Sequence, residues 1–390
     1  MSFSKRIENL KPSATLAITS LVNKLTAEGK NVVSFTAGQL DFPTPEYIKE
    51  EAHNAIKQNF TRYTAVDGMV ELKDSIINWT KLRYGLEYAR ENVLVSTGAK
   101  QALYNVLQVL LDQDDEAIMI RPYWVSYPEM IKSTGAKPVI VDADAKSGFV
   151  PSAKALENAI TDKTKVVILN SPNNPTGSVY SKRRLKAFAK FLAEKDIYVI
   201  SDEIYSEIIF DGDAEHISIA EFDGMFEKTI IINGVSKTFA MTGWRIGWAL
   251  GDSEVLKYAK RLQAHSTSNP CSISQKAANA ALDGEAEGFI RKVISRLSAR
   301  RDIALDIISQ IPKIKAIEPS GAFYIMIDIR KVLKGKTDQE FVQMLLEKHN
   351  VGFIPGSVFG QDGFIRMSIA ASEEAIQDGL NRLWTAIEEL

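Results

Sequence analysis

Six short apolar runs constrain this chain more than any other feature. They are Val93-Leu-Val95, Ala117-Ile-Met-Ile120, Pro138-Val-Ile-Val141, Val166-Val-Ile-Leu169, Ile197-Tyr-Val-Ile200 and Thr229-Ile-Ile-Ile232. All are rich in β-branched residues, and none alternates apolar with polar. A strand with one wet face alternates; a strand without alternation is covered on both faces, as in a parallel sheet between helices. Helical patterns separate several of the runs. Residues 101–111 place Leu103, Val106, Leu107 and Leu110 on one face, and residues 181–194 do the same with Leu185, Phe188, Ala189 and Leu192 behind a Ser181 cap. Strand, helix, strand, repeated, predicts an α/β fold with a covered parallel sheet.

The C-terminal part has a different rhythm. Strands are expected at residues 323–327, 351–354 and 364–369, with helices at 338–348 and 372–390. This pattern predicts a smaller α+β domain. The break is placed after Asp283, and the Pro- and Gly-punctuated N-terminal segment is expected to pack on the smaller domain. The expected division is therefore a large domain over residues 46–283 and a discontinuous small domain from 1–45 and 284–390. A chain of 390 residues is long enough for both cores without disulfides or metal. One cysteine, Cys271, excludes an intramolecular disulfide and points to a reducing, cytoplasmic setting. With 47 basic against 49 acidic residues there is no excess positive charge for a nucleic acid. No apolar run approaches the roughly 20 residues that span a bilayer, and the first 20 residues do not read as a signal peptide. Four histidines and one cysteine, scattered, give no metal site.

Ligands of open parallel sheets bind beyond the carboxyl ends of the strands. The residues that follow the runs are therefore the first candidates for function. Ser96-Thr-Gly-Ala-Lys100 follows the first, Arg121-Pro-Tyr-Trp124 the second and Asn170-Ser-Pro-Asn-Asn-Pro-Thr-Gly177 the fourth. Ser201-Asp-Glu-Ile-Tyr205 and Asn233-Gly-Val-Ser-Lys237 follow the last two. Each alone has a plainer explanation: a solvated lysine, a core aromatic, a turn, a helix cap. Together they supply what pyridoxal phosphate needs. A phosphate takes backbone N–H groups at a helix start, an aldehyde takes a lysine, a protonated pyridine nitrogen takes a carboxylate, and the ring takes a flat face.

Gly234-Val-Ser-Lys-Thr-Phe-Ala-Met-Thr-Gly-Trp-Arg-Ile-Gly247 resembles the lysine-attachment signature of class I pyridoxal phosphate-dependent aminotransferases of fold type I. Asn173-Asn-Pro-Thr-Gly177, Ser201-Asp-Glu-Ile-Tyr205, Pro122-Tyr-Trp-Val-Ser-Tyr127 and Gly321-Ala-Phe-Tyr324 resemble further motifs of that family, in its order. The similarity runs from Lys11-Pro-Ser-Ala-Thr15 to Arg366-Met-Ser368 and is closest to bacterial aspartate aminotransferases of subgroup Ib. The resemblance implies a mostly parallel seven-stranded sheet covered by helices, a smaller α+β domain, and pyridoxal 5'-phosphate as cofactor. It implies that Lys237 carries the cofactor as a Schiff base and moves the substrate proton. Asp202 would pair with the ring nitrogen, Tyr205 and Asn174 would bond the ring 3-hydroxyl oxygen, and Trp124 would stack on the ring. Gly98, Ala99 and Arg245 would hold the phosphate. Arg366 would bind the substrate α-carboxylate, with Gly38 closing over it. Tyr63 would reach the phosphate of a neighbouring subunit, which implies a homodimer with shared sites. Two positions depart from the pattern: Gln39 stands where the family often has Glu, and Gly234 where many relatives have a phosphate-bonding serine.

Lys100 matches the subgroup's lysine for a second substrate carboxylate, and Lys11 lies in a segment near the substrate. The function implied is transfer of the aspartate amino group to 2-oxoglutarate by a ping-pong mechanism. A prephenate or aromatic aminotransferase, a carbon–sulfur β-lyase on the same cofactor, and a non-catalytic sensor on the same fold stand as alternatives.

Overall fold

The computed structural model describes residues 4–8, 10–12, 14–210, 215–283 and 286–390. The six runs become strands of one sheet: β1 (Val93–Ser96), β2 (Glu116–Arg121), β3 (Lys137–Asp142), β4 (Thr164–Asn170), β5 (Tyr198–Asp202) and β6 (Thr229–Gly234). A seventh, β7 (Gly247–Leu250), is absent from the runs because four residues opening on a glycine show no pattern. The order is β1-β7-β6-β5-β4-β2-β3. Neighbours from β6 through β5, β4 and β2 to β3 are parallel, and β7 runs antiparallel to both β1 and β6. The sheet is thus seven-stranded and mostly parallel.

Alternation along each strand feeds two covered faces. Leu94, Met119, Ile168, Ile200, Ile230 and Ile232 pack with Ala102, Leu103, Val106 and Leu107 of the helix Ala99–Leu110. On the other face, Val93, Val95, Ile231 and Trp248 pack against the helices Val70–Tyr84 and Ser272–Leu282. Farther along that face, Ile118, Val167 and Val199 meet Leu185 and Phe188 of the helix Lys182–Leu192. Ser181 caps this helix, its hydroxyl accepting the Arg184 N–H at 3.3 Å. One expectation is corrected. Residues 138–141 lack alternation, yet β3 is the sheet's edge, and only Val141 of its six residues is buried.

The second core is built from a four-stranded antiparallel sheet. Its strands are β8 (Lys315–Ile317), β9 (Tyr324–Asp328), β10 (Ile354–Pro355) and β11 (Phe364–Ser368), in the order β10-β11-β9-β8. Helices Ala286–Gln310, Asp338–His349 and Glu373–Glu388 contribute to this core. The run at 351–354 does not form one strand. Val351–Gly352 pairs in parallel with Val33–Ser34, while Ile354–Pro355 joins the antiparallel sheet. The N-terminal segment is thereby stitched to the C-terminal core. Residues 284–285, where the domain boundary is expected to begin, lie outside the described residues.

Candidate active site

A cavity of about 800 Å³ opens at the carboxyl ends of the parallel strands. Lys237, Asp202, Tyr205, Asn174, Arg245 and Arg366 line it, together with Gly38, Ala99, Lys100 and Trp124. Residues 15 to 366 of the sequence therefore converge on one volume. The parallel strands deliver Asn174, Asp202, Tyr205 and Lys237, because the loop after each strand end faces the same side of the sheet, while Arg366 comes from β11 of the second sheet.

Asp202 is the last residue of β5 and is buried. The Tyr127 hydroxyl donates to its Oδ2 at 2.5 Å, and the Ile204 N–H donates to Oδ1 at 3.3 Å. Burial pushes the Asp202 carboxyl up from 3.8 to about 6, with those two bonds pulling it back and the neighbouring Glu203 pushing it further up. Asn170, the last residue of β4, donates from Nδ2 to the Asp202 carbonyl at 2.9 Å and accepts the Asn174 N–H on Oδ1 at 2.9 Å. One amide thus registers the turn after β4 against the end of β5. The Asn174–Pro175 bond in that turn is cis.

Lys237 follows β6 and is partly buried, its Nζ donating to the Gly38 carbonyl at 2.6 Å. Desolvation, then the charges of Arg366 and Arg245, lower its pKa from 10.5 to about 8, against the opposing pull of Asp202. At pH 7 about a tenth of this amine is neutral, far more than for an ordinary lysine. Tyr205 lies buried beside it, its hydroxyl 3.1 Å from the Tyr324 hydroxyl.

Arg366 on β11 is buried beneath these groups. Nη1 donates to Asn174 Oδ1 at 3.0 Å and Nη2 to the Thr36 carbonyl at 3.1 Å, and the guanidinium lies over the Tyr324 ring at 4.3 Å. Its Nε is buried with no hydrogen-bond partner among the described residues, and no carboxylate of those residues pairs with it. A buried guanidinium without a counter-charge is costly and is retained where an anion binds.

The phosphate-type cradle is a matter of backbone. Gly98, at φ 85°, precedes the helix Ala99–Leu110, whose first N–H groups lack intrahelical partners. Arg245 closes the cradle, donating from Nη1 to the Thr242 carbonyl at 2.8 Å; a Cβ on Gly98 would lie 2.5 Å from its Nη2. Gly247 on β7 lets the helix start settle on the sheet, since a Cβ there would lie 2.1 Å from the Ala99 nitrogen. At Gly234, one of the two departures from the family pattern, a Cβ would meet Gly247 Cα at 2.8 Å. Gln39, the other departure, accepts from the Thr242 hydroxyl at 3.0 Å.

Lys100 projects from the first turn of the same helix, its Nζ 4.8 Å from the Trp124 ring centroid. Two of the residues singled out from sequence stand apart. Tyr63 is 90% exposed and does not line the cavity. Lys11 is exposed too; its backbone N–H donates to Glu129 Oε2 at 2.9 Å, and Ser13 of its motif lies outside the described residues. Tyr127, Tyr324, Asn170 and Thr36 have no assigned role in the sequence, although they hold Asp202, Tyr205, Asn174 and Arg366 in place. Tyr127 and Tyr324 fall inside quoted motifs, and Asn170 is the first polar residue after an apolar run, which is the signal that singles it out.

The charge balance decides what fits. Among the described residues, four cations, Lys100, Lys237, Arg245 and Arg366, line the cavity, and the one carboxylate there is Asp202. The volume calls for anions at three places: the helix start, Arg366 and Lys100. Pyridoxal phosphate fits this set. Its phosphate matches the cradle, its aldehyde the lysine and its pyridine nitrogen Asp202, while Arg366 and Lys100 stay free for substrate carboxylates. Among the described residues no group of three or more His, Cys, Asp and Glu could hold a metal ion.

Comparison with known proteins agrees with this geometry. The sequence profile of the family described as "Aminotransferase class I and II" matches residues 30–383. The aspartate aminotransferase of Bacillus subtilis (strain 168) is 40% identical, with all of both chains covered. A probable aspartate/prephenate aminotransferase of Rickettsia prowazekii (strain Madrid E) is 39% identical over 99% of each chain. The structure of the Thermus thermophilus aspartate aminotransferase with maleate superposes with a TM-score of 0.95 at 38% identity, covering 99% of this chain and all of the other.

Proposed function

Since this chain belongs to the class I and II aminotransferase family, we propose that it moves the amino group of aspartate to 2-oxoglutarate, giving oxaloacetate and glutamate. The observation that carries the substrate assignment is the pair of unmatched cations: buried Arg366 for an α-carboxylate and Lys100 for a distal one. Two carboxylates on one small molecule answer both.

Bound pyridoxal phosphate supplies an aldehyde for amines and an electron-poor ring that takes up carbanion charge. The chain's own residues do the rest. Lys237 would carry the cofactor, and its neutral Nζ would take the proton from the substrate Cα and return it two atoms along, at the carbon that held the aldehyde. Its lowered pKa suits that work. Asp202, steadied by Tyr127, would face the ring nitrogen and keep it cationic. Asn174 and Tyr205 would bond the ring's phenolic oxygen, and the Trp124 indole would lie against the ring. Gly98, Ala99 and Arg245 would hold the phosphate. Arg366 would grip the α-carboxylate in a bidentate pair, oriented by Asn174 and the Thr36 carbonyl, while Gly38 closes above it. Lys11 belongs to the N-terminal segment that would lie near bound substrate.

The 90% exposure of Tyr63 supports a role outside its own cavity. We assign it to the phosphate of a second subunit, in a cytoplasmic homodimer that shares its sites. The working units are residues 46–283, and 1–45 with 284–390. No described helix is long and apolar enough to cross a membrane.

A second substrate has support of its own. The cavity continues along the helix Ala14–Ala27 past Thr19 and Asn23, room that aspartate does not need and a ring such as prephenate's would use. A panel of amino donors against 2-oxoglutarate, oxaloacetate and prephenate tests both substrates. Aspartate with 2-oxoglutarate is expected to lead, and Lys100→Ala to raise the KM for aspartate about 10- to 100-fold with little change for alanine. No transfer from aspartate would overturn the assignment, and pyruvate release from cystathionine without any 2-oxo acid would put a β-lyase in its place. Lys237→Ala is expected to abolish turnover.

A further inference from the structure

A buried group of titratable side chains lies behind the cavity, on the face of the sheet opposite Asp202. Strand alternation puts Ile200 and Asp202 on the cavity side. Ser201 and Glu203 point the other way. The Glu203 N–H extends the ladder to the Ile232 carbonyl at 2.9 Å, so its backbone is as fixed as the strand. Its carboxylate is 1% exposed. Three donors converge on it: Ser201 Oγ at 2.7 Å and Ser218 Oγ at 2.7 Å on Oε1, and His216 Nε2 at 3.0 Å on Oε2. An acceptor-only group met by three donors is the arrangement of an ionised carboxylate.

The neighbouring groups are accounted for differently. Glu207 accepts from the Tyr84 hydroxyl at 3.0 Å and pairs with Arg83 at 3.5 Å. Glu221 accepts the Ser218 N–H at 2.8 Å, and Tyr88 presents a buried hydroxyl. The Tyr84 ring packs edge-on against His216 at 5.2 Å. Glu207 therefore has a permanent cation, whereas Glu203 has two hydroxyls and an imidazole. His216 Nδ1 is buried without a partner among the described residues.

Taking Asp202 as the partner of the cofactor's ring nitrogen, an inference that rests on the proposed function, we propose that Glu203 is a positioning residue. It is a buried negative charge, held by His216, Ser201 and Ser218, that acts through Asp202 to hold the ring nitrogen as a cation. A fixed charge one residue behind Asp202 raises the affinity of the site for a cationic ring and does nothing for a ring without the nitrogen. The same charge disfavours ionisation of Asp202 when no cation faces it, in line with the upward push of Glu203 on that carboxyl.

The test compares binding of pyridoxal 5'-phosphate with binding of its 1-deaza analogue, in which carbon replaces the ring nitrogen. Dissociation constants are measured by fluorescence on cofactor-free protein at pH 8 and pH 6. Glu203→Gln is expected to weaken pyridoxal phosphate about tenfold and to leave the analogue within about twofold. Should that variant fail to fold, His216→Leu serves instead. It leaves the carboxylate with hydroxyl donors alone, so the same selective loss is expected. Equal weakening of both ligands would show a structural prop and overturn the inference, as would no effect on either. Wild-type protein that binds neither ligand would instead overturn the proposed function.

Discussion

Asp202 and Lys237 each hold a charge where the fold resists it. The Asp202 carboxyl has a folded-state pKa of about 6 against 3.8 in the unfolded chain. Between those values the folded protein binds more protons than the unfolded one. The stability contribution of this group therefore falls as pH rises through that window and stays lost above it. Asparagine can still accept from Tyr127 and carries no charge. Asp202→Asn is expected to stabilise the cofactor-free protein by on the order of 2–3 kcal/mol at pH 8, a gain that shrinks as pH falls toward 4. The same variant should lose amino transfer by about a thousandfold or more. Thermal unfolding across that pH range, beside steady-state rates, checks both halves; a destabilised variant at pH 8 would contradict the account. Lys237 shows the opposite sign: its depressed pKa gives a stability that rises with pH from about 8 to 10.5. At this scale the sequence was legible where chemistry forces a residue type: a lysine, a carboxylate, a glycine at a helix start. It was illegible where a partner lies far along the chain. Nothing local to Tyr127 says that its hydroxyl will meet a carboxylate 75 positions away.

Elements show the same division. The six runs predict strands because a doubly covered strand needs no polar alternation, and their carboxyl ends announce the site. The edge position of β3 was hidden, since an exposed edge strand and a buried one can share the same few residues. The splitting of 351–354 between two sheets was hidden as well, because its partner Val33–Ser34 is more than 300 residues distant and leaves no local trace. The junction of β7 with the helix Ala99–Leu110 yields a prediction at this scale. A methyl on Gly247 would lie 2.1 Å from the Ala99 nitrogen and 2.6 Å from the Gly98 carbonyl carbon, both backbone atoms that no rotamer change can move. The helix start must shift, and its free N–H groups shift with it. Gly247→Ala is expected to cost about 1–3 kcal/mol of stability and to weaken pyridoxal phosphate about tenfold or more. Gly243→Ala, where a Cβ meets nothing within 4 Å, is the control and should bind like wild type. Retained affinity in the first variant, measured by equilibrium titration, would remove the cradle from the helix start.

The molecule as a whole is held around its cavity by one strap, residues 36–44. Lys237 donates to the Gly38 carbonyl, Thr242 to Gln39, Thr44 to the Ala240 carbonyl at 2.8 Å, and the Trp244 indole to the Thr44 hydroxyl at 3.1 Å. Arg366 reaches the same strap through the Thr36 carbonyl. Its outer anchor is a two-bond ion pair, Arg300 to Asp41 at 2.8 and 2.7 Å, from the long helix Ala286–Gln310. Arg300 is 6% exposed, and among the described residues Asp41 is the carboxylate that pairs with it directly. Removing only the acid leaves a buried cation unpaired, which costs about 3–5 kcal/mol at such sites; removing both partners costs far less. Asp41→Asn should therefore lower the melting temperature more than the double variant Asp41→Asn, Arg300→Met does. The strap positions the Gly38 and Thr36 carbonyls above Lys237 and Arg366, so loosening it acts on substrate capture before chemistry. The KM for the amino donor is expected to rise about tenfold while kcat falls by less than about threefold. Equal losses in kcat would place the anchor in the chemical step, and additive melting shifts in the cycle would mean that the two side chains do not depend on each other.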